Sequence, residues 1–285
     1  GGGGVGGGRR GQLIQSLGIL PIRAKSTIPH FDEWSLPGHG EPYIDCGSKG
    51  VRGCENTHLH PAGMDGRPAG VVFVQVYRRC CARAQCPVCY EVWCAKEAEK
   101  ADHRLRAYKG NFRRPIHVVV SPPPEDWGLE FGVLRRKAYK ILRSVHVSGG
   151  CVIFHPWRED EGSKWWYLSP HFHVLGFGWV RGVGRMFEST GWVVKNVGVR
   201  RSVKATLHYQ LSHAGVRKGR HTVTWFGSCS YNKLRVDPLR VDKPRCPMCK
   251  AVLKDLPLSI VGGLDPPPEL GNYYYTRELG LRVWS

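Results

Sequence analysis

The alternation of apolar and polar positions, and the stretches where a helical period replaces it, set out most of the chain after residue 70. Residues 71–79, VVFVQVYRR, are β-branched and aromatic and predict a strand. Residues 91–108 are rich in strong helix formers and predict a helix. Residues 116–121, IHVVVS, alternate as a strand, and the proline run that follows stops it. Over 131–146, Leu134, Ala138, Ile141, Leu142 and Val145 recur at helical spacing. Strands are predicted over 149–156 and 165–178, with the polar turn REDEGSK between them. A short helix near 182–191 and a strand over 192–199 complete a β-α-β-β-α-β order. That order predicts an α+β fold, an antiparallel ferredoxin- or RRM-like sheet with helices packed on one face. A further helix is expected over 202–215, with Ser202 as N-cap, Gly215 as stop, and Val203, Leu207, Leu211 and Ala214 as its apolar stripe. A strand over 221–227 follows.

The remaining segments lack such periods. Eight of the first ten residues are Gly or Val, so 1–35 reads as a flexible glycine-rich arm. Residues 36–112 read as an N-terminal zinc-binding module, 113–228 as the mixed domain, and 229–285 as a C-terminal zinc knuckle and tail.

Charge narrows the partner. The formal net charge is +19, from 42 basic and 23 acidic residues. A field of that sign attracts polyanions, and nucleic acid is the commonest. Arg135, Arg136, Lys137 and Lys140 on one predicted helix, and Arg200 and Arg201 ahead of another, are the expected phosphate contacts. No apolar run approaches the roughly 20 residues of a membrane span. With no secretory signal in the glycine-rich start, a cytoplasmic, reducing setting and no membrane partner are expected.

That setting bears on the 11 cysteines. Two Cys-Pro-x-Cys pairs, Cys86/Cys89 and Cys246/Cys249, have the tight spacing that suits zinc. Cys81 is the near neighbour of the first pair, with Cys54 its expected fourth ligand and His60 or His58 the alternatives. Cys46 leaves room for a second ion. The tail pair has no obvious partners; Cys229, His213 and His221 are the candidates. One or two structural zinc ions are therefore expected.

His171 and His173 stand one residue apart in a predicted strand, so their rings share a face. His155 ends the preceding strand of a predicted hairpin, near both. Three imidazoles on one sheet face can hold a divalent ion and leave positions open for substrate oxygens. Tyr209 lies off the apolar stripe of its helix, with His213 one turn on. A phenolate so placed can attack a phosphodiester and form a phosphotyrosine. Tyr231, Tyr167 and the Tyr273–Tyr275 run are rival nucleophiles.

The order IHVVVSPPP, SPHFHVLGFG, LHYQLSHAG resembles the three motifs of the HUH endonucleases, with His171-Phe172-His173 as the second and Tyr209 in the third. Over about 80–250 the chain is similar to rolling-circle replication initiators of archaeal plasmids and viruses. The resemblance implies an HUH-type antiparallel sheet flanked by helices, with zinc-binding insertions at both ends. It implies a site-specific single-strand DNA endonuclease with strand-transfer activity, using Mn2+ or Mg2+ and a 5′-phosphotyrosine at Tyr209. The implied partners are single-stranded origin DNA and a host helicase and polymerase, since no phosphate-binding Gly-rich loop is encoded. Where many plasmid initiators carry Lys three residues after the tyrosine, this chain has Ser212, and His213 or Lys204 is the expected substitute. A single-tyrosine HUH transposase and a non-catalytic zinc-dependent nucleic-acid-binding protein are the alternatives.

Overall fold

The computed structural model describes residues 31–112, 114–160, 162–163, 165–240, 242–257, 259 and 268–284. The expected arm over 1–35 falls almost wholly outside them. In chain order the strands and helices are β1 (Lys49–Cys54), β2 (Val72–Arg78), α1 (Tyr90–Arg106), β3 (Ile116–Ser121), α2 (Phe131–Ser144), β4 (Val147–Glu159), β5 (Trp166–Gly178), α3 (Val183–Thr190), β6 (Val193–Val199), α4 (Val203–Leu211), β7 (Val223–Gly227), β8 (Lys254–Asp255), β9 (Gly271–Thr276) and β10 (Gly280–Val283). They form two compact units. One comprises 31–42 and Ala82–Asp237, and the other comprises Tyr43–Cys81 and Pro238–Ser285. The division differs from the expected one. Residues 82–112 go with the mixed domain because α1 packs there, and the tail joins 43–81 because its strands enter the same sheet.

The first unit is an α+β domain. Its sheet runs β6-β3-β5-β4-β7, antiparallel throughout. The β-α-β-β-α-β order is present as β3-α2-β4-β5-α3-β6. Alternation assigns the two faces. Val118, Val120, Val152, Phe154, Phe172 and Val174 face α2 and α3, which contribute Leu134, Ala138, Leu142 and Met186 to one core. Cys151, Ile153, Leu175 and Phe177 face the other way, onto α1 and α4 through Ala98, Leu105, Leu207 and Leu211. Helices therefore cover both faces, not one. The strands carry apolar residues at both parities, which is what a doubly covered sheet requires.

Strand β5 lies between β3 and β4 in this sheet. The β4–β5 ladder shifts register between His155 and Trp157. The intervening residue is Pro156, with Pro170 on the facing strand, and neither can donate to a ladder.

The second unit is a sheet in the order β10-β9-β2-β1-β8, also antiparallel. Its buried apolar residues form two small groups, Val51, Val74, Val76 and Tyr273 in one, Cys54, Phe73 and Cys246 in the other. Among the described residues no helix is long and apolar enough to cross a membrane.

Candidate active site

The histidine site follows from strand parity and register. His171 and His173 share the α1/α4 face of β5, and His155 on β4 is paired directly with His171. Their ligand-capable nitrogens all lie within 4.8 Å of one another. Ring centroids are 5.2 Å apart for His155–His171, 4.4 Å for His155–His173 and 5.0 Å for His171–His173.

Burial keeps these rings neutral. Desolvation holds the His171 imidazolium down to about 3, with Arg158 adding repulsion. Desolvation also drives His155 and His173 well below the ordinary histidine range, and neighbouring imidazoles such as His171 and His213 reinforce it. A neutral imidazole is the metal-ligating form. His155 is 1% exposed, and neither Nδ1 nor Nε2 has a hydrogen-bond partner. A buried polar ring left so is costly unless a ligand satisfies it. The donor set of three clustered imidazoles therefore fits a divalent ion.

Tyr209 is brought to this cluster by α4. The helix starts where Ser202 Oγ accepts a hydrogen bond from Ala205 N–H at 3.2 Å, so the expected N-cap is present. It ends at Leu211, before Gly215. His213, in the turn beyond, meets His155 edge-on at 4.6 Å between centroids and Tyr209 at 4.7 Å. A continuous chain of rings thus runs from the buried cluster through His213 to Tyr209, which is itself 64% exposed. A cleft of about 660 Å3 opens there, lined by His155, His171, His213, Tyr209, Arg158 and Tyr167 among others.

No family model, no curated protein and no solved structure matches this chain.

Two site residues were not read from sequence. His117 on β3 sits diagonal to His173. Arg200 contacts His117 Nδ1 at 3.0 Å. His117 Nε2 and His173 Nδ1 share a hydrogen bond at 2.8 Å. Burial and Arg200 hold His117 down to about 4. Parity within IHVVVS places His117 on one face of its strand, but only the β3–β5 register selects its partner. Arg158 is the second; it donates to Ser169 Oγ and Ser121 Oγ and brings a fixed positive charge to the cleft.

Several of the expected site residues lie away from the cleft. Lys204 does not line the cleft; its Nζ faces Glu99 of α1 at 3.5 Å. The side chains of Arg135, Arg136, Lys137 and Lys140 belong to α2, on the opposite face of the sheet, and Lys137 pairs with Asp126 at 2.6 Å. Arg200 is engaged with His117, while Arg201 is exposed. Tyr231 lies under the Arg104 guanidinium at 4.4 Å, and Tyr273–Tyr275 are in β9 of the second unit.

The cysteines divide differently from expectation. Cys54 and His60 group with Cys246 and Cys249 in the second unit, not with Cys86 and Cys89. The reason is that the tail folds back beside β1. Cys229 is no partner of the tail pair: it is fully buried in the apolar layer of α1 and α4. Cys86 and Cys89 are both buried at the start of α1, their sulfurs within 4.8 Å of one another; Cys46 and Cys81 of the second unit form another such pair. These cysteine and histidine clusters are compatible with zinc.

Proposed function

We propose that this chain nicks and rejoins single-stranded DNA through a covalent 5′-phosphotyrosine at Tyr209, as an initiator of rolling-circle replication of the HUH type. The observation that carries the reading is the run of rings from the three-histidine cluster through His213 to an exposed tyrosine on a capped helix. The antiparallel sheet, with the histidine pair on a strand flanked on both sides, supports it further. The net charge of +19 supports a nucleic-acid substrate.

His155, His171 and His173 would hold Mn2+ or Mg2+, which when bound supplies Lewis-acid polarisation of the scissile phosphate. Tyr209 Oη attacks phosphorus, the phosphorus–O3′ bond breaks, and the DNA 5′ phosphate becomes an ester of the tyrosine. His213 receives the phenolic proton and returns it to the departing 3′ oxygen, so charge and protons balance. Attack by a 3′ hydroxyl on the phosphotyrosine reverses the step and rejoins the strand. Arg158 stabilises the phosphorane charge from the cleft wall. Extension from the free 3′ end would require a host helicase and polymerase.

The test is cleavage of circular single-stranded DNA carrying the sequence that flanks the gene, with Mn2+. Linear product with a blocked 5′ end is expected, lost in His171→Ala/His173→Ala and in chelator. Stable binding without cleavage on every such strand would favour the non-catalytic alternative.

A further inference from the structure

We propose that Cys54, His60, Cys246 and Cys249 bind one zinc ion, and that this ion joins the two sequence-distant halves of the second unit and is required for its folding. This zinc site is independent of the nicking reaction.

The four ligand atoms lie within 4.8 Å of one another. Cys54 Sγ and Cys249 Sγ are 3.5 Å apart, and Cys246 Sγ and His60 Nε2 are 3.4 Å apart. With zinc–sulfur bonds of about 2.3 Å, a tetrahedron has edges of about 3.8 Å, so these pairs already stand near ligand spacing. His60 is 2% exposed, and its Nδ1 donates to Val71 O at 2.6 Å. That bond fixes the tautomer and leaves the Nε2 lone pair directed at Cys246, as a ligating histidine needs.

The tail pair is shaped as a metal-binding turn. Cys246 N–H donates to Ala251 O at 2.7 Å and Lys250 N–H to Cys246 O at 3.0 Å, with Lys250 at φ +61°. Four protein ligands close a zinc coordination shell and leave no place for substrate, so the role is structural. A Cys54–Cys249 disulfide is the competing chemistry; it would leave the adjoining Cys246–His60 pair, 3.4 Å apart, outside the crosslink.

The ligands explain what holds the unit together. Cys54 ends β1, and His60 follows a single 3-10 turn, Thr57–Leu59; Cys246 is 186 residues beyond His60. Among the described residues, the two apolar groups of this unit hold four and three buried residues, and two of the latter three are Cys54 and Cys246 themselves. So small a core does not normally support a fold, and a metal is one of the usual supplements. Among the described residues the first unit has larger groups, of 20 and 12 buried residues.

The experiment uses the full-length protein purified under reducing conditions, with zinc counted by mass spectrometry and Co2+ substituted for optical spectra. Cys246→Ser and His60→Ala are expected to lose one equivalent of zinc, and Cys80→Ser, at an exposed cysteine outside the set, none. His60→Cys is expected to restore the equivalent and strengthen the sulfur-to-cobalt band. Trypsin after chelation is expected to cut within 43–81 and 238–285 and to spare a fragment spanning 82–237. Unchanged zinc content in Cys246→Ser, or failure of His60→Cys to recover what His60→Ala loses, would overturn the assignment. Chelated protein that resists trypsin in both segments would overturn the folding role.

Discussion

His155 is the residue on which the candidate active site turns. It is fully buried, neutral, and without a hydrogen-bond partner on either nitrogen. Its presence is explained if it gives a lone pair to an ion, and costs stability if it does not. The sign of the pH dependence follows. The folded pKa values of His117, His155, His171 and His173 are all depressed by burial. Between the unfolded value of about 6.5 and the folded values near 4 and 3, the unfolded chain binds more protons. In metal-free protein the first unit, which holds these histidines, should therefore keep its stability above about pH 6.5 and lose it steadily as pH falls toward about 4. Thermal melts in chelator check this, and a flat profile over that range would mean the rings are not buried neutral. The His171/His173 pair is legible in sequence because the two-residue strand period is enough to place it. His117 is not, because its role depends on which strand lies alongside.

At the scale of elements, the β4–β5 hairpin and α4 do the positioning. Both are readable from periodicity, and the Ser202 cap is readable from its residue type. Ser202→Ala should cost about 1 kcal/mol by removing the bond to Ala205 N–H. A denaturant midpoint measures it; no change would mean the cap contributes nothing to α4. Tyr209→Phe, at an exposed position, should leave that midpoint unmoved. Strand β1 is hidden in the sequence because KGVRGC carries two glycines, poor strand formers. The structure gives one of them a reason: a Cβ on Gly53 would lie 2.1 Å from Phe73 O across the β1–β2 ladder. The β9–β10 hairpin follows a proline run and reads locally as tail, since nothing nearby reveals that β9 pairs with β2 some 200 residues earlier.

For the whole molecule, the decisive organisation is long-range. Two stretches far apart in sequence build one unit, and a continuous stretch with a short lead-in builds the other. Hydrophobic period cannot report such pairing. Proximity along the chain therefore points Cys54 and His60 to the nearer cysteines and gives Cys246 and Cys249 no clear partners. The same holds for the basic residues. Charge predicts a polyanionic partner, but α2 carries its arginines and lysines on the sheet face away from the histidines, while Arg158 stands in the cleft itself. Affinity for single-stranded DNA should fall with salt. Arg158→Ala should make the slope of log K against log salt shallower by about 0.7, the effect of one phosphate no longer neutralised. An unchanged slope would take Arg158 off the DNA path.

The central claim is that Tyr209 becomes covalently joined to DNA. Reaction of the full-length protein with cleavable single-stranded DNA and Mn2+, then nuclease and trypsin digestion and mass spectrometry, tests it most directly. The predicted result is a peptide spanning 205–217 with a 5′-linked nucleotide on Tyr209, and none in Tyr209→Phe. Cleaved DNA with that peptide unmodified, or with the nucleotide on Tyr167 or Tyr231, would contradict it.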